Sequence, residues 1–552
     1  MDQAQTPRDR EDAIDHAADA PLDVLVIGGG ITGVGIALDA VLRGYRVALV
    51  ERDDLASGTS SKSSKLVHGG VRYLANADLA MVAEGVRERD RTRRMAPHLV
   101  RPLGFVVPVD SAADRLKLKV GMTLYDGLAA GRSVRRHRHL DASEVLAVAP
   151  GLRNRAGGGA YRYYDAQTDD ARLTLAIAQA ARSRGADVIN HAEVVDLLSA
   201  DGRVVGAVVR DRVDGNEVEL RARWVVSATG VWAGALWNLT PGGAATEVVA
   251  SKGTHVVLPR TSLAVNQALV VPSGAADGRM NFVIPWGEQV YIGTTDDVFG
   301  GDLDHPTLER VDADYLLHSV NEAFGTSLAP ADCIGAWAGL RPLLRDKAGD
   351  RATKDLSRRH TIVEAPEGLL TITGGKLTTW RQMAEDLVDR IAAEDGNLAG
   401  CSTTSIHLGA SGSAEAGLAR ARQAMDQTGI DTALTASLYH RHGDRCDEVA
   451  RFCVEHGEAE RLVPTLPYLA GEVRWSVRHE LARTLDDVLS RRLRVALRHA
   501  GAGGVGIARA AGICADELAW DDQRRTVEIT TYLSGVRAER GPVPLADPRV
   551  PG

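Results

Sequence analysis

Val24-Leu25-Val26-Ile27-Gly28-Gly29-Gly30-Ile31-Thr32-Gly33, continuing through Val34 to Leu42, is the stretch on which the fold turns. Only Thr32 and Asp39 are clearly polar in it. Its length is close to the roughly 20 apolar residues that a membrane-spanning helix needs. Gly28, Gly29, Gly30, Gly33 and Gly35 interrupt it, however, and Val47-Ala48-Leu49-Val50 follows. Strand, glycine turn, helix, strand is a βαβ unit. In Gly28-x-Gly30-x-x-Gly33 each glycine has a task. Gly28 permits the tight turn, Gly30 lets backbone N–H groups approach a pyrophosphate, and Gly33 lets the helix pack closely on the strand. The helix N-terminus supplies a favourable field for the phosphates, with Ile31 and Thr32 in its first turn. Glu51 ends the second strand, where a carboxylate accepts hydrogen bonds from a ribose 2′-hydroxyl and repels a 2′-phosphate.

The rest of the composition is that of a soluble globular protein. The chain has 552 residues, 44% hydrophobic and 25% charged, so two or three domains are expected. A formal charge of -8 excludes a general nucleic-acid binder. Cys333, Cys401, Cys446, Cys453 and Cys514 form no CxxC pair, so neither a zinc ribbon nor an iron–sulfur cluster is signalled and no metal is expected. The basic residues are mostly arginine, which makes the few lysines, among them Lys65, Lys252 and Lys376, worth locating.

Residues 1–20 are polar and acidic and read as a disordered tail. Residues 21–405 carry the dinucleotide pattern. Its cofactor-binding parts are placed at about 21–105, 151–250 and 345–405, and β-rich, substrate- or membrane-facing parts at about 106–150 and 251–344. Helices are expected over 78–95, 170–184 and 377–393, and a hairpin at 204–209 and 218–220 ahead of a strand at 224–226. Ser, Gly, Thr and Ala dominate 401–416, and 406–552 reads as an all-α domain. The fold class is α/β: a Rossmann-like FAD-binding domain with a β-rich substrate domain inserted, plus the helical C-terminal domain.

Three further segments favour a flavin dinucleotide. Gly58 to Gly70 contains Thr59, Ser60, Ser63, Ser64, Lys65, Leu66 and His68; its hydroxyls can satisfy diphosphate and ribityl oxygens. The strand at Trp224 runs into Ala228-Thr229-Gly230. Gly374-Gly375-Lys376-Leu377-Thr378-Thr379 opens a late helix whose amides can face the electron-rich end of an isoalloxazine.

With these motifs in place, the sequence resembles the respiratory, quinone-linked FAD-dependent glycerol-3-phosphate dehydrogenases. The matching stretches are IGGGITGVGIALDA (27–40), SSKSSKLVHGGVRYL (60–74), MAPHL (95–99), DDARL (169–173), SATGVW (227–232), KGTH (252–255), FVIPW (282–286), IGTTD (292–296), GLRPL (339–343) and GGKLTTW (374–380). The resemblance implies noncovalent FAD and oxidation of sn-glycerol 3-phosphate to dihydroxyacetone phosphate, with a quinone as acceptor. It also implies a homodimer resting peripherally on the cytoplasmic face of the cell membrane. Gly70, Val194, Trp232 and Gly339 join the expected cofactor set.

A phosphate dianion needs several converging cations. Arg72, Arg341, Arg358 and Lys376 are the candidates, with Tyr73 and Thr378 as further substrate contacts. The C2 hydroxyl must lose a proton as hydride leaves. His255 is the first choice of base and His68 the second, with Arg341 stabilising the developing alkoxide. Basic and apolar residues interleave from Arg115 to Leu124, and Arg132, Arg135, Arg136 and Arg138 follow, a surface suited to anionic lipid. An oxidase that reduces O2 to H2O2 would share these motifs, and a non-catalytic flavin-binding redox sensor would share the nucleotide fold.

Overall fold

The structure is a computed structural model and describes residues 8–71, 78–109, 111–129, 135–152, 159–240, 248–274, 278–344 and 360–545. Four elements open the chain: helix α1 (Arg10–Asp19), strand β1 (Leu22–Ile27), helix α2 (Ile31–Leu42) and strand β2 (Val47–Val50). β1 and β2 are parallel, with Val24 opposite Val47. Gly28 has φ +112°, and a Cβ there would lie 2.7 Å from the Ala228 carbonyl oxygen. A Cβ on Gly33 would lie 1.9 Å from the Gly28 oxygen. A glycine inside a helix costs about 1 kcal/mol relative to alanine; the close approach of α2 to the turn is what it secures. Val24, Val26, Val34 and Leu38 are fully buried, each contributing about 1.5–3 kcal/mol of transfer free energy. The apolar run is therefore the middle of an α/β layer. No helix among the described residues is long and apolar enough to cross a membrane.

The first sheet runs Thr361–Glu364, Leu369–Thr373, Glu217–Ser227, β1, β2, Asp187–Ile189, and is parallel from the second strand onward. The expected hairpin is present, but its second strand does not stop: Glu217–Ser227 is one strand that pairs with Arg203–Asp211 and then with β1. The second sheet is built around Val248–Pro259, which pairs with Gln289–Gly293 and Gly335–Leu344. It also takes in Leu66–Val67 and Ala160–Gln167, which the sequence assigns to the cofactor-binding parts, and Arg101–Pro108, which straddles the expected boundary at about 105.

The tail reading fails over its second half. Residues 10–19 form α1, capped by the Asp9 side chain, with Arg10, Ala13 and Ala17 buried. Arg10 pairs with Asp211 at 2.7 Å and donates to the carbonyls of Asn190 and His191. A compositional count of charges misses partners so distant in sequence. Beyond residue 413, helices from Ala414–Thr428 to Asp522–Arg540 form the C-terminal domain, whose only β pairing among described residues is one bridge, Arg461 to Leu469.

Candidate active site

The ends of β1, Glu217–Ser227 and Leu369–Thr373 open on a cavity of about 1420 Å³, larger than the roughly 300–1,000 Å³ of an ordinary small-molecule pocket. Gly28, Gly30, Ile31, Thr32, Glu51, Thr59, Ser60, Ser63, Ser64, Leu66 and His68 line it. Val194, Thr229, Gly230, Trp232, Gly339, Gly375, Lys376, Leu377 and Thr378 line it as well. Segments far apart in sequence thus meet as anticipated.

The residues fit a flavin dinucleotide. Glu51 accepts from the Gly29 and Asp53 amides at 2.6 and 2.9 Å, and burial raises its carboxyl despite these donors. The Ser60 hydroxyl accepts from the Ile31 amide at 2.9 Å, at the N-terminus of α2 where a pyrophosphate is favoured. Gly30 leaves that approach open, since only the Ser60 hydroxyl, 3.2 Å away, would meet a Cβ there.

Not every expected contact is made. Lys65 turns away from the cavity: its ammonium donates to Asp170 at 3.0 Å and to the Ser61 carbonyl at 2.9 Å, and lies 4.6 Å from the Trp337 ring centroid. Burial, followed by the nearby Arg494, pushes it down to about 8. Gly33 and Gly70 do not line the cavity either; Gly33 acts through packing. Arg72, Tyr73, Arg358 and Arg132 lie outside the described residues. Thr378 is buried, hydrogen-bonded to both amide and carbonyl of His68, and so braces that histidine.

Arg341 and His255 meet on one wall. Ser251 is opposite Arg341 in the sheet, Gly253 opposite Gly339 and His255 opposite Trp337. The Arg341 guanidinium lies across Gly253, where a Cβ would sit 2.2 Å from Nη2. It donates to Asp296 at 3.2 Å, to Thr294 Oγ1 at 3.1 Å and to the Thr295 carbonyl at 3.3 Å. His255 stacks on Trp337 with centroids 4.5 Å apart and 8° between planes, and its Nε2 is 2.9 Å from the Ser64 hydroxyl. Burial, then Lys65 and Arg341, hold the imidazole well below its ordinary value, so it is neutral. Sequence reasoning missed Gly253 as the platform for Arg341 and Asp296 as its partner. The KGTH and IGTTD motifs carried both, but only the pairing of their strands reveals the purpose.

This fold and this cavity define a FAD-dependent oxidoreductase. The family model described as FAD dependent oxidoreductase matches residues 23–381, and that described as C-terminal domain of alpha-glycerophosphate oxidase matches 401–525. A glycerol-3-phosphate dehydrogenase of Mycobacterium leprae (strain TN) is 38% identical, with 97% of this chain and 91% of that protein covered. The mitochondrial glycerol-3-phosphate dehydrogenase of Homo sapiens is 36% identical over 94% of this chain and 74% of its own. The crystal structure of the Bacillus halodurans glycerol-3-phosphate dehydrogenase, complexed with FAD, superposes with a TM-score of 0.81 at 30% identity, covering 98% of this chain and 99% of that one. The chain belongs to the glycerol-3-phosphate dehydrogenases of the FAD-dependent oxidoreductase family.

Proposed function

We propose that the protein oxidises sn-glycerol 3-phosphate to dihydroxyacetone phosphate and passes the electrons to a quinone while docked on a membrane surface. The observation that carries the substrate reading is the side-by-side placement of a cation and a neutral imidazole on one wall of the FAD cavity. Arg341 lies over Gly253, and His255 follows two residues along the same strand, about 7 Å further. A short substrate with a phosphate at one end and a secondary hydroxyl on its central carbon can meet both side chains. Arg341 binds the anion and offsets negative charge developing on the C2 oxygen. His255, neutral before substrate arrives, accepts the hydroxyl proton; the dianion offsets the cationic field that depresses it. Trp337 holds the His255 ring by stacking, and Thr378 fixes the backbone of His68. FAD, when bound, takes up the hydride from C2.

Anaerobic titration of the holoenzyme with glycerol 3-phosphate tests this reading. The flavin band should bleach completely. H255Q should reach the same end point at least about a hundredfold more slowly. A flavin bleached by an amino acid and untouched by glycerol 3-phosphate would overturn the substrate reading, and an unchanged rate in H255Q would remove the histidine. The oxidase alternative has one point in its favour, the family assignment of the C-terminal domain. Stoichiometric peroxide in aerobic turnover, independent of added quinone, would establish it.

The membrane reading rests on the helix Ala112–Leu128. It faces Leu118, Met122 and Tyr125 inward, whereas Leu116, Val120 and Leu124, spaced four apart on the opposite face, are 64%, 62% and 41% exposed. Arg115, Lys117 and Lys119 are exposed on this helix, and Arg135, Arg136 and Arg138 follow it. An apolar stripe between cations lies in the headgroup region of an anionic bilayer. Co-sedimentation with vesicles containing phosphatidylserine should fall at least about tenfold in the triple serine variant at Leu116, Val120 and Leu124. Undiminished binding would place the membrane contact elsewhere.

A further inference from the structure

Between the two domains lies a lattice of buried arginines and carboxylates that the catalytic reading does not use. It centres on the turn Asp487–Arg494 of the C-terminal domain. Asp54, His191 and Asp487 converge with the spacing of metal ligands, but guanidinium groups already hold both carboxylates. Arg492 makes a two-pronged contact with Asp54 at 2.6 and 2.8 Å, and Arg491 Nε reaches the same carboxylate at 2.6 Å. Arg491 also donates to Asp487 at 2.6 Å, and His191 lies 2.9 Å from it. Two residues further along, Arg494 contacts Asp169 at 3.1 Å and the Ser61 carbonyl at 3.2 Å, and is hydrogen-bonded to Asp170.

These contacts fall at two points of one segment. Residues 51–66 carry Glu51, Thr59, Ser60, Ser63 and Ser64, and apart from a short 3-10 turn and Leu66 they have no regular structure. Asp54 sits near the start. Near the end, Asp170 accepts from the Ser63 amide and hydroxyl at 3.0 and 2.7 Å and from Lys65 at 3.0 Å. Holding a residue of such a loop in one conformation costs about 1–2 kcal/mol of backbone entropy. A loop already held binds its ligand without that cost.

We propose that the turn Asp487–Arg494 is a cofactor clamp. Arg492 on Asp54 and Arg494 on Asp169 and Asp170 fix the two ends of the flavin loop in its binding conformation, so that the C-terminal domain slows loss of FAD. Arg494 is then a positioning residue, acting through Asp170 on Ser63 and Lys65. The charges support this role. Burial would raise the Asp169 carboxyl, yet Arg494 and Lys65 hold it below its ordinary value, so the pairing is ionic on both sides.

The test is the rate at which the holoenzyme releases FAD on dilution, read as free-flavin fluorescence. R494K and R492K keep a positive charge but lose the planar fork that serves several acceptors. R474M is the control: Arg474 pairs with Glu458 and Glu517, wholly inside the C-terminal domain. R494K and R492K should release FAD at least about tenfold faster than the unaltered protein and R474M, a difference of about 1.4 kcal/mol. Far-ultraviolet circular dichroism should be unchanged. If R494K does not accumulate, R492K and D170N carry the same comparison. Equal release rates in the clamp variants and the unaltered protein overturn the proposal. So does an equal acceleration in R474M, which would make the domain a general stabiliser.

Discussion

Replacing Arg341 with methionine should lower kcat/KM for glycerol 3-phosphate by roughly a thousandfold. Two losses add. The charge-assisted hydrogen bonds from guanidinium to phosphate disappear, each worth about 1.5–3 kcal/mol. Asp296, held at 3.2 Å by Arg341, is left with that partner removed and facing the incoming dianion. R341K should be intermediate, because an ammonium keeps the charge without the fork that now reaches Asp296, Thr294 and Thr295 together. G253A provides an independent route to the same defect. Its Cβ, 2.2 Å from Nη2, must displace the guanidinium, although residue 253 has no side-chain chemistry of its own. The pH profile adds a sign. Arg341 helps to depress His255, so its removal raises the imidazole. The acid limb of kcat/KM in R341M should therefore move to higher pH. Steady-state kinetics across pH checks both outcomes. A loss under about tenfold would show that Arg341 does not hold the substrate.

Gly33→Ala should yield a protein that folds but is purified nearly colourless. A methyl at 33 would sit 1.9 Å from the Gly28 oxygen, a contact that flexible side-chain ends could relieve but backbone cannot. Helix α2 must shift away from the turn, and the first-turn amides that would face the pyrophosphate shift with it. The sheet beneath does not depend on that contact: Val24, Val26 and Val47 remain buried between layers. Flavin occupancy, measured as the ratio of flavin to protein absorbance, should fall below about a tenth of normal at limiting FAD, the effect of at least about 1.4 kcal/mol of lost affinity. Normal occupancy would show that the turn tolerates a wider helix–strand spacing than the geometry allows.

The nucleotide half of the site was legible because its glycines each have one physical task and sit at fixed spacing. Gly28, Gly30 and Gly33 could be assigned before any fold was known, and Glu51 followed from the strand after them. The catalytic wall was half legible. His255 and Arg341 stood out as chemistry-bearing residues in short motifs, but their adjacency arises from pairing between strands far apart in the chain, with Ser251 opposite Arg341. Lys65 shows the limit in another way. Its rarity pointed to a specific role, and it has one, but with Asp170 and Trp337 rather than with the cavity. Helix α1 was misread for the same reason. The partners that bury Arg10 lie at Asn190, His191 and Asp211, and no local count of charge can anticipate them.

The arginine–carboxylate lattice between the domains has a consequence for how the two halves recognise each other. Arg172 meets Glu480, Arg492 meets Asp54 and Arg494 meets Asp169, all at or near full burial on the arginine side. Pairs of this kind add little net stability over apolar contacts, but each one broken leaves a buried charge at a cost of about 3–5 kcal/mol. An apolar seam could slide by a residue and still be apolar. Here a slide by a single helical turn would strand several guanidinium groups at once. The seam works as a lock with one key, admitting a single register of docking and rejecting the near misses.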